Sequence, residues 1–445
     1  GISFNPDTST LTFTGAAAAA LNNPELYNGA VIYSELPELT LVTNATLTMK
    51  SDTAEYLIYV NGGNLTLAAT DAGYKTFSSS SASRVVYVVD GDLNINAHLK
   101  VTAAAAEYGF YVENGTLLLD KVTVGTTNYS PVVFFDAVQN AVGITNGTIS
   151  ATTGTSAPTL TNETGGREIF QYPLLRGATV QNAMVVVDGN LSTSGKFWIS
   201  SKAATYGIFI PDGTLYNSGY LKVTLANNSS SASNLRDGDS CIYAANGLTS
   251  DGTLDLSADV DDGYGLKVMN GDVTINAESY FNAAHCCIYV RNGDVNINAF
   301  SDYGVSFNDE DELCYSSAVY AGNGSITLGD FYFFGGANWV LYANGPIHVT
   351  DVFEISNVGD GLGGNGIKST TGGIVLDGGG TIEAINCLDS GDSTEGIRAA
   401  GNLTLTASGR HAIKAENGPI TVDGNRVTIT GSGTIYYTTD GSDPS

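Results

Sequence analysis

The sequence predicts an all-β chain wound as a single-stranded parallel β-helix of about 14 coils. Two observations predict it. An apolar-aromatic-apolar triplet runs repeatedly into an Asn-Gly or Asp-Gly turn, and an apolar-x-apolar triplet usually follows. Examples are Val86-Tyr87-Val88, Asp90-Gly91, Leu93-Asn94-Ile95 and Ile288-Tyr289-Val290, Asn292-Gly293, Val295-Asn296-Ile297. The unit also returns at a nearly fixed interval: Gly91 to Gly115, Gly189 to Gly213 and Gly247 to Gly271 are each 24 residues, and Gly271 to Gly293 is 22. The triplets have period 2, which is the strand period. No segment between them keeps a helical period, which argues against βαβ units and leucine-rich horseshoes. A hairpin meander would alternate two unlike strands, whereas here the same sequence returns.

The elements follow in chain order. Residues 1–50 are expected to hold an N-terminal cap and the first coil, with Ala16–Leu21 as a short closing helix before Asn22-Asn23-Pro24. The helix proper is expected over 51–430. Between Val124 and Gln181 the repeat blurs, which reads as an insertion or irregular coils with Val133-Phe134-Phe135 as one rung. Gly293 to Gly324 stretches to 31 residues, which implies an inserted loop. Residues 431–445 read as a terminal strand or the start of a truncated module.

Within each coil the Asn or Asp before the Gly suits the left-handed bend. Asn114, Asn246, Asn270, Asn292, Asn323, Asn344 and Asn417 are expected to stack in a ladder. The residue six before the turn Gly is small (Gly109, Gly207, Cys241, Gly265, Cys287), which suits a corner where coils meet closely. At one strand spacing per coil the rod is roughly 65 Å long.

Composition bounds the function. The net charge is −27, from 45 acidic and 18 basic residues, so nucleic acid is an unsuitable partner, since phosphate binding needs clustered Lys and Arg. Charged residues make up only 14%, and Asn, Ser, Thr and Gly take their place, a style of secreted β-solenoids. No run of about 20 apolar residues exists, so no membrane-spanning segment is expected. No signal peptide is visible, and an opening on Gly1 reads as a mature or trimmed start. The five cysteines, Cys241, Cys286, Cys287, Cys314 and Cys387, show no zinc spacing. They read as small core or corner residues, with a disulfide or a reactive thiol as the other possibilities.

The residue four before the turn Gly has apolar neighbours on both sides and should face outward. Along the chain it reads Tyr59, Tyr87, Tyr111, Val185, Phe209, Tyr243, Lys267, Tyr289, Tyr320, Leu341, Lys368, Arg398 and Lys414. This is an aromatic stripe that turns basic toward the C-terminus. Aromatic faces stack on the C–H patches of sugar rings, and Lys368, Arg398 and Lys414 could pair with uronate carboxylates. Alternatively each Tyr merely stacks on the next. Calcium, which takes carboxylate oxygens, is a candidate at Asp259, Asp261 and Asp262 in one loop and at Asp309 and Asp311 in the insertion. For catalysis the candidates are Lys267 as base with Asp272 and Asp294, one strand spacing apart after consecutive turns. The four histidines are scattered, and no Ser-His-Asp signature or phosphate-binding loop stands out.

Gly366-Ile367-Lys368, Gly396-Ile397-Arg398-Ala399 and Ala412-Ile413-Lys414-Ala415, followed by strings such as Gly418-Pro419-Ile420-Thr421-Val422, carry a resemblance. The chain resembles the right-handed parallel β-helix superfamily that includes pectate lyases and polygalacturonases. Within it, it is similar to bacterial surface carbohydrate-binding β-helix proteins that bind cellulose and pectin-type polymers with calcium. The match spans about 360–430 and is looser over 55–350, where Tyr replaces Lys. The polygalacturonase strings Asn-Thr-Asp, Gly-His-Gly and Arg-Ile-Lys are absent. Ile435-Tyr436-Tyr437-Thr438-Thr439-Asp440-Gly441-Ser442-Asp443-Pro444 resembles the opening of the C-terminal module of chitobiase-type hexosaminidases. The resemblance implies a right-handed helix and an extracellular or cell-surface, non-catalytic protein that binds polysaccharide, cellulose, pectin-type or host glycan. A calcium-assisted lyase or hydrolase and an adhesin are the alternatives.

Overall fold

The computed structural model describes residues 2–14, 21–22, 25–43, 48–157, 159–161, 167–226, 239–260, 263–305, 317–357, 364–391, 394–408, 412–415, 419–422 and 427–431. All regular structure among them is β-strand. The chain forms two compact units, Gly1–Gly271 with Ile275–Ala283, and Asp272–Thr274 with Ala284–Ser445.

In the first unit each coil lays down three strands. Arg84–Val89, Leu93–Asn96 and His98–Ala103 make one coil. Each strand pairs parallel, in register, with its equivalent one coil on: Val86 with Phe110, Leu93 with Leu117 and Leu99 with Val133. Three parallel ladders result, here called first, second and third. The second unit repeats the scheme, with Ser317–Ala321, Ile326–Leu328 and Phe331–Gly335 pairing with Trp339–Ala343, Ile347–Val349 and Phe353–Ser356. Val86, Val88, Leu93, Ile95, Leu99 and Val101 turn inward, all 1% exposed or less, and Val85 beside Val86 is buried as well. Each unit is therefore a parallel β-solenoid with its core inside the coils.

The turn Gly is required by close approach. A Cβ on Gly91 would lie 2.1 Å from the carbonyl oxygen of Gly63, and one on Gly115 would lie 1.9 Å from that of Gly91. The left-handed bend is supplied beside it by Asp90 and Asn114, at φ 50° and 56°. The expected Asn ladder forms in part. Asn323 Nδ2 donates to Asn292 Oδ1 at 2.8 Å, and Asn114 Nδ2 donates to Asp90 Oδ1 at 2.9 Å. Asn246 instead donates to the carbonyl of Asp212, and Asn417 lies outside the described residues. The small residue six before the turn makes room mainly for the opposite wall: a Cβ on Gly109 would meet the Phe135 ring at 2.6 Å, and one on Gly207 would meet Val223 Cγ1 at 2.4 Å.

The N-terminal cap is a hairpin. Ile2–Asn5 pairs antiparallel with Thr10–Phe13, which continues the second ladder parallel to Glu38–Thr43. Of the expected helix, residues 16–20 lie outside the described residues, and Leu21–Asn22 is strand. The blurred stretch is more regular than its sequence. Asn140–Ala151 runs as one 12-residue strand through the first and second ladders, with a register shift between Thr145 and Gly147. Val132–Asp136 is the expected rung of the third ladder. Val122–Val124 with Thr127–Tyr129, and Thr159–Thr161 with Arg167–Ile169, leave the ladders as antiparallel pairs. Residues 432–445, with the whole tail string, lie outside the described residues.

Candidate functional site

The outward column of the first ladder is the stripe. In the first unit Tyr33, Tyr59, Tyr87 and Tyr111 stand in register on successive coils. Gly143 and Val186 interrupt them, and Phe209, Tyr243 and Lys267 continue. In the second unit the column is Tyr320, Tyr342, Lys368, Asp389 and Lys414, entered from Tyr289.

Three expected members are corrected. Val185 and Leu341 are fully buried, and Val186 and Tyr342 hold the outward positions, because the turns before Gly189 and Gly345 are one residue shorter. Arg398 lies on the second ladder, paired with Val375 and Thr421, and Asp389 stands between Lys368 and Lys414. The strand Leu388–Ser390 lacks an Asn-Gly turn, so counting from turns skipped a coil. Tyr33 was missed for the same reason: no Gly follows Ile32-Tyr33-Ser34.

A second column three residues earlier widens the face. It carries Tyr56, Arg84, Tyr108, Tyr206 and Tyr264 in the first unit and Trp339 in the second. Ring centroids lie 5.0 Å apart for Tyr59 with Tyr87, Tyr289 with Tyr320 and Tyr320 with Tyr342, at 12°, 1° and 7° between planes. These rings cover one another's faces and present edges and hydroxyls outward. Other pairs tilt: Tyr33 with Tyr59 at 68°, Tyr87 with Tyr111 at 72°. Gly143 gives the Tyr111 ring its place, since a Cβ there would lie 2.4 Å from Cδ2. The Arg84 guanidinium lies 4.7 Å from the ring centres of both Tyr87 and Tyr111.

Three of the phenol hydroxyls meet carboxylates, and that of Tyr111 meets the Thr145 hydroxyl at 3.0 Å. Tyr33 donates to Glu35 at 2.5 Å, Tyr56 to Glu55 at 2.7 Å, and Tyr87 to Glu113. Burial first, and then the Glu113 bond, push the Tyr87 phenol up; burial and Glu55 do the same to Tyr56. Tyr56 and Tyr87 therefore stay neutral at physiological pH.

The basic end carries its own counter-ions. Lys368 and Lys414 reach Asp389 at 3.7 and 3.8 Å, and Lys368 also lies 5.1 Å over Trp339. Arg398 reaches Asp377 at 3.5 Å, whose other oxygen is 2.6 Å from His348 Nε2.

The candidate catalytic residues have structural partners. Lys267, in the first unit, lies 4.4 Å over the Tyr264 ring. Asp272 and Asp294, in the second, form a coil-to-coil relay. Asp294 N donates to Asp272 Oδ1 at 2.8 Å, and Ser325 N and Oγ donate to Asp294 Oδ1 at 2.8 Å. Asp92 accepts from Thr116 N at 2.8 Å in the same way. At these three turns the acid after the Gly thus ties its coil to the next.

Asp259 ends the third-ladder strand Leu254–Asp259 and is exposed. Asp261, Asp262, Asp309 and Asp311 lie outside the described residues. Among the described residues no group of three or more His, Cys, Asp or Glu could hold a metal ion. Cys241, Cys286, Cys287 and Cys387 are buried free thiols. Burial pushes the Cys241 and Cys387 thiols up to about 12. No helix among the described residues is long and apolar enough to cross a membrane.

No family model matches the chain, and no curated protein or solved structure matches it.

Proposed function

We propose that this chain is a non-catalytic, extracellular or cell-surface protein that holds extended polysaccharide along its first ladder. At the finer level we assign the fold to a single-stranded right-handed parallel β-helix of about 14 coils. The observation that carries the functional reading is the outward ring column, which repeats once per coil at 5.0 Å where stacked. That spacing is close to the length of one sugar unit in an extended chain, so a chain lying along the ladder meets an equivalent group at each unit.

The geometry changes how such a chain is held. Faces inside a stack are covered, so contact falls on ring edges and phenol oxygens. The tilted pairs turn part of a ring face outward. The Lys368–Asp389–Lys414 group carries one net positive charge along this face, which suits a uronate-bearing chain in that stretch. The backbone bonds accepted by Asp272 and Asp294 favour binding over the lyase or hydrolase alternative.

The test is retention on cellulose, xylan and polygalacturonate, with calcium and with chelator, while reducing and unsaturated ends are recorded. Wild type should be retained without product, and a Tyr243→Ala, Tyr289→Ala, Tyr320→Ala variant should be lost from the polymer. Undiminished retention of that variant sinks the stripe.

A further inference from the structure

A second outward column lies on the third ladder of the first unit, where the sequence repeat gave no sign of a site. Trp198, Lys222, Asp255 and Tyr280 stand in register on four successive coils. At one strand spacing per coil, Trp198 and Tyr280 are about 14 Å apart. The two aromatic ends bracket a charged centre. Lys222 Nζ lies 2.8 Å from Asp255 Oδ2 and 5.7 Å from the Trp198 ring. Tyr220 donates to the same Oδ2 at 2.7 Å, and Tyr172 packs 5.5 Å from the Tyr220 ring. Both bonds fall on Oδ2, which leaves Oδ1 with acceptor capacity. The Lys222 and Asp255 side chains are 32% and 21% exposed, and Tyr280 is 40% exposed.

This arrangement differs from the stripe in two ways. Its aromatic residues are separated by polar ones, so the column has no continuous ring stack. Its ion pair is held by a third group and has no net charge. We propose that the Trp198–Tyr280 column is a second glycan site, and that its ligand is a neutral oligosaccharide of about three units laid along the coils. The aromatic ends contact the apolar sides of the outer sugars. Asp255 Oδ1 accepts from a hydroxyl of the central sugar, and the Lys222 ammonium donates to another. An acidic sugar is disfavoured because its carboxylate would face Asp255. The proposal stands whether or not the stripe binds.

The chain contains two tryptophans, one in each face. Trp198 reports the third ladder and Trp339 the first. In a Trp339→Phe protein, cellotetraose should change the Trp198 emission saturably, and tetragalacturonate should act at least tenfold more weakly. Tyr280→Ala and the near-isosteric Asp255→Asn should each weaken cellotetraose at least tenfold, with circular dichroism unchanged. In a Trp198→Phe protein, Trp339 reports the stripe alone, so failure of either face is read separately. The proposal is overturned if Trp198 emission does not respond to cellotetraose at about 10 mM. It is equally overturned if the response survives unaltered in a folded Asp255→Asn protein.

Discussion

His98 offers a pH-dependent test of how the third ladder is packed. The ring is fully buried, and its Nδ1 accepts the backbone N–H of Val132 at 3.2 Å. It is therefore neutral, with its proton on Nε2. Burial first, and then the Lys75 charge, push it down to about 4 from an ordinary value of 6.5. A depressed histidine costs nothing above 6.5, where the unfolded chain is also neutral. Below 6.5 the unfolded chain takes up a proton that the native state refuses, so stability falls by about 1.4 kcal/mol per pH unit. The loss levels off at about 3 kcal/mol below pH 4, where the native ring also protonates. Acidic groups titrate in the same range, so a reference protein is needed. His98→Asn is suitable, because Asn Oδ1 can replace Nδ1 as acceptor. Hydrogen exchange at Val132 isolates the local effect, since a solenoid need not unfold in one step. Between pH 7.5 and 4.5, wild type should lose about 2–3 kcal/mol more protection than His98→Asn. A difference below about 0.5 kcal/mol would refute the buried neutral ring.

Three further outcomes follow from the packing. Gly115→Ala forces a Cβ to within 1.9 Å of a carbonyl oxygen, whereas at Gly62, φ 79°, nothing lies within 4 Å; the first should cost at least about 2 kcal/mol and the second about 1 kcal/mol of left-handed strain, read by thermal unfolding. Lys75 is 2% exposed and its Nζ lies 2.7 Å from Asp71, so Asp71→Asn should destabilise by about 2 kcal/mol while Lys75→Met is near neutral; equal losses in chemical denaturation would contradict this. The Cys241 and Cys387 thiols, pushed up to about 12, should resist iodoacetamide at pH 8 until the chain unfolds, as mass spectrometry of the modified sites would record.

The repeat was legible wherever an Asn-Gly or Asp-Gly turn marked it. Those turns recur because Gly91 and Gly115 must let one coil's backbone touch the next, and that steric demand leaves the same residue at the same place. Where the marker changed length, the count failed. Val185 and Leu341 were one residue out of phase, and Arg398 belonged to another ladder. The third ladder was least visible. Its outward residues Trp198, Lys222, Asp255 and Tyr280 repeat no single residue type, and only the register on consecutive coils brings them together. Most stripe residues were legible as outward-facing, because they lie between two buried apolar positions, as Tyr87 does between Val86 and Val88. Their mutual stacking was not, since ring orientation depends on the neighbour one coil away rather than on the strand itself. The acids after the turn Gly looked like a site for the same reason: Asp272 and Asp294 are adjacent in space, but their oxygens serve backbone groups of the following coil.

On the proposed reading, the first-ladder face holds polysaccharide without cleaving it. Co-sedimentation of the purified chain with cellulose, xylan and polygalacturonate, with assay of the supernatant for new sugar ends, tests it most directly. Retention on at least one polymer is expected, with no product and with loss of retention in the Tyr243→Ala, Tyr289→Ala, Tyr320→Ala protein. New reducing or unsaturated ends, or retention on none of the three, would contradict it.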